Sequence, residues 1–211
     1  VVVDAAAAAP YAHIDLDELG ADVVAVNAPA WGGPQVGALA FRDPSLLDRI
    51  PAVSLNPFAR GPERLEVGAH QYAMLAGLTT SVDFLANLDD TATGTRREKL
   101  ETSISSLMDY QDGLFDHLMA SLKRLPHVMV IGKSPSRVPT LSFTVNGVPA
   151  EKVTAFLADR RIATVCGGPG SSRLLDALGV NDEGGAVTIG LAPYTTRYEI
   201  DQLTKELAEL G

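Results

Sequence analysis

The sequence predicts a layered α/β protein, and three observations carry that expectation. Apolar runs without strict alternation recur at Val1–Val3, Ala21–Val26 and Val36–Phe41, the pattern of strands covered on both sheet faces. A long helical stripe follows, with apolar residues at Leu100, Ile104, Leu107, Leu114, Leu118, Leu122 and Leu125. Beyond Pro126, strand-like runs alternate with shorter helical segments, which marks a second α/β unit. The expected division is residues 1–95, a connecting helix over 96–125, and a small unit over 126–211.

Taken in order, Val1–Val3 reads as a short buried strand that delivers Asp4 to its carboxyl end, before an alanine-rich turn closed by Pro10. Asp15–Leu19 reads as a short helical crossover into the second strand. Trp31-Gly32-Gly33-Pro34 separates the second strand from the third, and Asp43–Ile50 reads as a helix capped by Asp43 and opened by Pro44. Pro51–Pro62 is rich in turn formers, Tyr72–Leu88 is helical, and Asp89–Thr95 is a surface break. In the second unit, strands are expected at Val128–Ile131, Leu141–Val145, Ile162–Val165 and Val187–Leu191. Helices are expected at Pro149–Asp159 and Ser172–Leu178, beside an antiparallel or mixed sheet with helices on one side. Thr196 and Glu199 have capping-box spacing at the start of a last helix whose inward face is Ile200, Leu203, Leu207 and Leu210.

Composition narrows the function classes. With 46% hydrophobic and 20% charged residues, the 211-residue chain can bury a substantial core. A formal charge of −9 argues against a nonspecific nucleic-acid groove, which needs concentrated basic surface. One cysteine supplies neither a disulfide framework nor a thiolate metal cluster. No apolar stretch approaches the length of a membrane span, and no secretory pattern opens the chain, so a cytoplasmic location is the expectation. A Walker A loop, a His-Glu-x-x-His pattern and a serine nucleophile elbow are absent from the sequence.

Several residues could carry chemistry. Asp4 stands at a strand end, where a carboxylate either caps a loop or binds a ligand. His70, in Glu66-Val67-Gly68-Ala69-His70, could donate to a phosphate or make a local hydrogen bond. Gly167-Gly168-Pro169-Gly170-Ser171-Ser172 could receive an anion on backbone donors or form a loop edge. Cys166 precedes these glycines and reads as a strand-end cysteine rather than a nucleophile.

The opening VVVDAAAAAP, the stretch VVAVNAPAWGGPQVGALAF and the tail AVTIGLAPYTTRYEIDQL together resemble the class V aminotransferase and cysteine desulfurase family. The resemblance implies the later part of a fold type I pyridoxal-phosphate-dependent transferase-like large domain, followed by a small α/β domain. It also implies a homodimer with a small-molecule ligand, beside the expectation from charge and hydropathy of no nucleic-acid or membrane partner. Asp4 falls where the family's aspartate meets the pyridine nitrogen of pyridoxal phosphate, which makes the ring an electron sink. Ala7 and Tyr11 fall at neighbouring polar positions. The family's imine-forming lysine position is Ala30, and no lysine precedes Lys99. The carboxylate-binding arginine position is Thr188, which cannot make a two-pronged charged contact. Asp4, Asn27 and His70 are therefore the candidate cofactor contacts, with the cofactor held without an internal imine. A catalytically degenerate family member is the expectation. An active enzyme that takes a lysine from elsewhere and a non-enzymatic dimeric scaffold stand beside it.

Overall fold

A computed structural model describes residues 1–132, 134, 137–167, 172–182 and 184–211. It divides the chain into two compact units, 1–106 and 107–211, with the division falling inside one long helix. The architecture is the expected mixed α/β one, consistent with a fold type I large-domain portion plus a small α/β subdomain.

In the first unit, β1 (Val2–Asp4), β2 (Val23–Asn27) and β3 (Gly37–Phe41) form a sheet in that order. β1 and β2 are parallel, whereas β2 and β3 are antiparallel. The parallel pair requires a crossover, and residues 5–20 supply it in tight turns. Ala8 and Ala9 donate to Ala5 O, and Leu19 donates to Asp15 O. Asp15 accepts from the Asp17 and Glu18 amides, so it caps a turn that stops short of the helix expected at 15–19. Small side chains let this crossover lie close to the sheet. Ala5, Ala21 and Val24 are buried together, with Val3, Ile14, Leu16 and Val26 packed around them. The first strand is not buried as the valine run suggests: Val2 is 73% exposed, and among the described residues β1 is an edge strand paired with β2.

The helix expected over 43–50 shrinks to α1 (Leu46–Arg49). Asp43 accepts from the Ser45 amide and hydroxyl, which folds residues 43–45 into a turn ahead of it. Arg64 reaches back to the carbonyls of Leu47 (2.8 Å) and Ile50 (2.8 Å), satisfying orphan acceptors at the end of α1. A short 3-10 helix over Gly61–Arg64 leads to α2 (Tyr72–Ala86). The long helix α3 (Arg96–Leu122) spans about 40 Å at 1.5 Å per residue. Its start is a capping box that the sequence reading did not single out. Thr95 donates from amide and hydroxyl to Glu98, and the Glu98 amide returns to the Thr95 hydroxyl.

The second unit holds a fully antiparallel sheet in the order β4 (Val128–Ile131), β5 (Thr140–Val145), β7 (Val187–Gly190), β6 (Val165–Cys166). The alternation of β5 is strict: Leu141, Phe143 and Val145 are buried, while Thr140, Ser142 and Thr144 face the other way. The buried face packs on Leu114, Leu118 and Leu122 of α3, Val153 and Leu157 of α4 (Ala150–Asp159), and Ile200, Leu203 and Leu207 of α6 (Arg197–Ala208). Helices are not confined to that side. Leu175 of α5 (Ser172–Ala177), Val180 and Ala186 cluster with Ile131, whose register with Ser142 sets it on the opposite face. β6 begins three residues later than the sequence suggests, because residues 160–162 are taken up by the end of α4. There Arg161 donates to Ala158 O and Ile162 to Leu157 O.

The Thr196–Glu199 capping box forms as expected at the start of α6. Its hydrogen bonds from the Thr196 amide and hydroxyl hold the Glu199 carboxyl below the ordinary glutamate range, and the Thr95 amide and hydroxyl do the same for Glu98. A depressed folded-state pKa stabilises above the unfolded value and is lost as pH falls through the folded one. The urea midpoint is therefore expected to be level near neutrality and to fall on acidification below about pH 4.3, the ordinary glutamate value. Thr196→Ala should lower stability by about 1 kcal/mol at pH 7 and shallow that acid slope, which urea titrations at several pH values would read.

Candidate functional site

The site begins at the carboxyl ends of the two parallel strands, where open α/β sheets receive ligands. Asp4 is registered with Ala25, and Asn27 lies two residues farther along β2, so both belong to one sheet face. Asp4 is exposed, and its Oδ1 accepts from the Ala6 amide at 3.0 Å. Asn27 is also exposed and ends β2, and its side chain does not cap the turn that follows.

That turn, a 3-10 helix over Ala28–Trp31, is pinned from several directions. The Ala28 amide donates to Val36 O (2.9 Å), and the Gly33 amide donates to Ala28 O (2.9 Å). Gly32 closes it at a φ of 83°, which favours glycine. Trp31 Nε1 donates to Ser81 Oγ of α2 at 3.1 Å. The contact joins residues 50 apart, so sequence spacing alone gave no sign of Ser81. A Cβ on Gly33 would stand 2.9 Å from both Ala28 Cβ and Ser81 Oγ. Gly33→Ala is therefore expected to destabilise by about 1–3 kcal/mol through overpacking, measured by urea unfolding. Within this fixed frame Ala30 is exposed and carries only a methyl group.

A cavity of about 510 Å³ adjoins the same face. Ala25, Gly37, Leu39 and Phe41 line it from the sheet, and Leu75 and Leu78 from α2. Register places the four sheet residues on the face of Asp4 and Asn27. Its charged lining residue is Glu66, whose Oε2 lies 3.1 Å from His70 Nε2. His70 is exposed and tilted against Tyr72, with ring centroids 6.2 Å apart. The structure thus brings Asp4 and Asn27 to one face, and gives His70 to Glu66 rather than to either of them. Tyr11 is half-buried in the crossover, and burial pushes its phenol pKa up.

The remaining positions lie in the second unit. Thr188 is half-buried and shares a 2.7 Å hydroxyl contact with Ser142, its registered neighbour on β5. Cys166 is an exposed free thiol at the end of the edge strand β6. In the glycine-rich segment that follows, Gly168, Pro169, Gly170 and Ser171 lie outside the described residues. Among the described residues no group of three or more metal-ligating side chains assembles, and no helix is long and apolar enough to cross a membrane.

Comparison with known proteins points in one direction. The family model described as aminotransferase class-V matches residues 1–203. An uncharacterized protein of Mycobacterium tuberculosis, MT3887, is 53% identical over 211 residues, covering all of this chain and 52% of that protein. A probable cysteine desulfurase of Xylella fastidiosa is 27% identical and covers 99% of this chain and 49% of its own length. The chain spans about half the length of the curated relatives it matches. Among solved structures, the cysteine desulfurase CsdA of Escherichia coli superposes with a TM-score of 0.81 at 23% identity, over 100% of this chain and 51% of that one. The apo cysteine desulfurase of Thermococcus onnurineus gives 0.79 at 23%, over 99% and 52%. At these identities the structural likeness is one of fold.

Proposed function

The chain belongs to the aminotransferase class-V family, and from that premise we propose that it is a degenerate member whose site holds a ligand without forming a covalent imine. The observation that carries this reading is Ala30. The turn around it is fixed at both ends and leaves no slack to bring another residue of that turn to its place. The family's chemistry needs a titratable amine there, to form the covalent link and to move the substrate proton. Residues 1–98 contain no lysine, and Lys99 Nζ donates to Asn87 Oδ1 at 3.0 Å.

The donor set therefore does not fit a covalently anchored pyridoxal phosphate. It retains what a noncovalent guest would use: an acidic oxygen on Asp4, the amide of Asn27, and an apolar cavity on the same face. Thr188, with its hydroxyl shared with Ser142, offers no charged clamp for a substrate carboxylate. Large exposed apolar side chains in the first unit, among them Val2, Leu39, Phe58 and Phe84, support association with further protein surface, a homodimer in this reading.

Pyridoxal phosphate titrated into the full-length protein tests the proposal. The expected result is saturable binding that dialysis reverses and borohydride does not fix. A pyridoxyl group fixed on any lysine, mapped by peptide mass spectrometry, would show an active site completed from elsewhere and overturn it. Absence of saturation would instead leave a scaffold, and overturn the retained pocket.

A further inference from the structure

The second unit contains a cavity of about 720 Å³ that involves none of Asp4, Asn27, Ala30 or His70. It opens between the amino end of α6, the end of β7 and the segment leaving α4. Ile162, Ile189 and Leu203 contribute apolar wall, and Tyr194 and Tyr198 stand at it with exposed rings. Its volume suits a small organic molecule.

The charges lining it are not equivalent. Arg160 is paired with Glu206 at 2.7 Å and Glu209 at 3.7 Å, and lies over the Phe156 ring. Glu199 is occupied by the Thr196 amide and hydroxyl. Arg161 has no hydrogen-bond or ion-pair partner for its guanidinium among the described residues, so the cavity carries one uncommitted cation.

The backbone of Arg161 adds a second observation. Its φ is 62°, the one positive value at a non-glycine among the described residues. It occupies the left-handed position of a Schellman cap, where the Ile162 amide bonds Leu157 O and the Arg161 amide bonds Ala158 O. Glycine would adopt this conformation without the Cβ penalty. A bulky side chain here therefore works against the cap that it completes, at a residue that lines the cavity.

From the cavity, its tyrosine rim and this lone cation, we infer that the second unit binds a small aromatic or amphipathic carboxylate. The carboxylate pairs with Arg161, and the ring system lies against Tyr194 and Tyr198 over the apolar wall. A two-pronged guanidinium contact suits a planar carboxylate, and the exposed aromatic faces suit a flat body.

Isothermal titration of the full-length protein with 2-naphthoate, beside the neutral 2-naphthamide, tests this. The carboxylate should bind saturably and about tenfold more tightly than the amide, and higher salt should narrow the gap. Arg161→Gly should erase the preference while leaving the thermal midpoint unchanged or raised, since glycine fits the cap. Tyr198→Ala should weaken both ligands. Equal binding of acid and amide, an unchanged preference in Arg161→Gly, or no saturable binding of 2-naphthoate would each overturn the assignment.

Discussion

Replacing Ala30 by lysine is expected to convert the protein from one that yields no covalent pyridoxal phosphate adduct to one that yields a near-stoichiometric adduct fixed by borohydride at residue 30. The side chain of Ala30 is exposed, so a lysine stem can extend from it without displacing core atoms. The turn that presents it is held by the Ala28–Val36 and Gly33–Ala28 backbone bonds and by the Trp31–Ser81 contact, none of which involves the side chain at 30. Asp4 and Asn27 already share the adjoining sheet face. Peptide mass spectrometry after reduction reads the outcome. If Ala30→Lys captures no more cofactor than the parent, the turn is not the anchoring position and the degenerate-site reading loses its basis.

The largest stability loss from a single substitution is expected at Phe143. Its side chain is wholly buried at the centre of the second unit, among Leu118, Leu157, Val187 and Leu207. Phe143→Ala should cost about 3–5 kcal/mol, the transfer term plus the cavity left by a ring that its neighbours cannot refill. Thr144→Ala, one residue on and on the opposite face, should change stability by no more than about 0.5 kcal/mol. Urea unfolding of the two variants measures the contrast. Similar losses in both would mean that the two faces of β5 are not packed as the alternation of burial indicates.

The expectations that came through unchanged rest on local physics. The strand Val128–Ile131 and the Thr196–Glu199 capping box appear where the residues place them, since a short β-branched apolar run and a cap are both decided within a few positions. The long stripe expected from Leu100 to Leu125 lies on one helix as far as Leu122, where α3 ends three residues early. Boundaries moved where short-range chemistry competed with helix or strand. Asp15 and Asp43 bond nearby amides and hold turns, and the cap after α4 delays β6. The family resemblance was legible because it runs in order along nearly the whole chain, and the family model matches residues 1–203.

The site divides along the same line. The sequence by itself determined the frame: an acid after a valine run, an alanine in a glycine-proline turn, and a threonine on the last strand, each an identity fixed without reference to any neighbour. Only the tertiary structure decided what those residues meet. It set Asp4 and Asn27 on one sheet face, gave His70 to Glu66, joined Trp31 to Ser81 and Thr188 to Ser142, and left Arg161 at a cavity with no side-chain partner among the described residues. Such pairings span up to 50 residues and arise from strand register and helix packing, and the energy that selects them is shared across a core rather than written in any short stretch of chain.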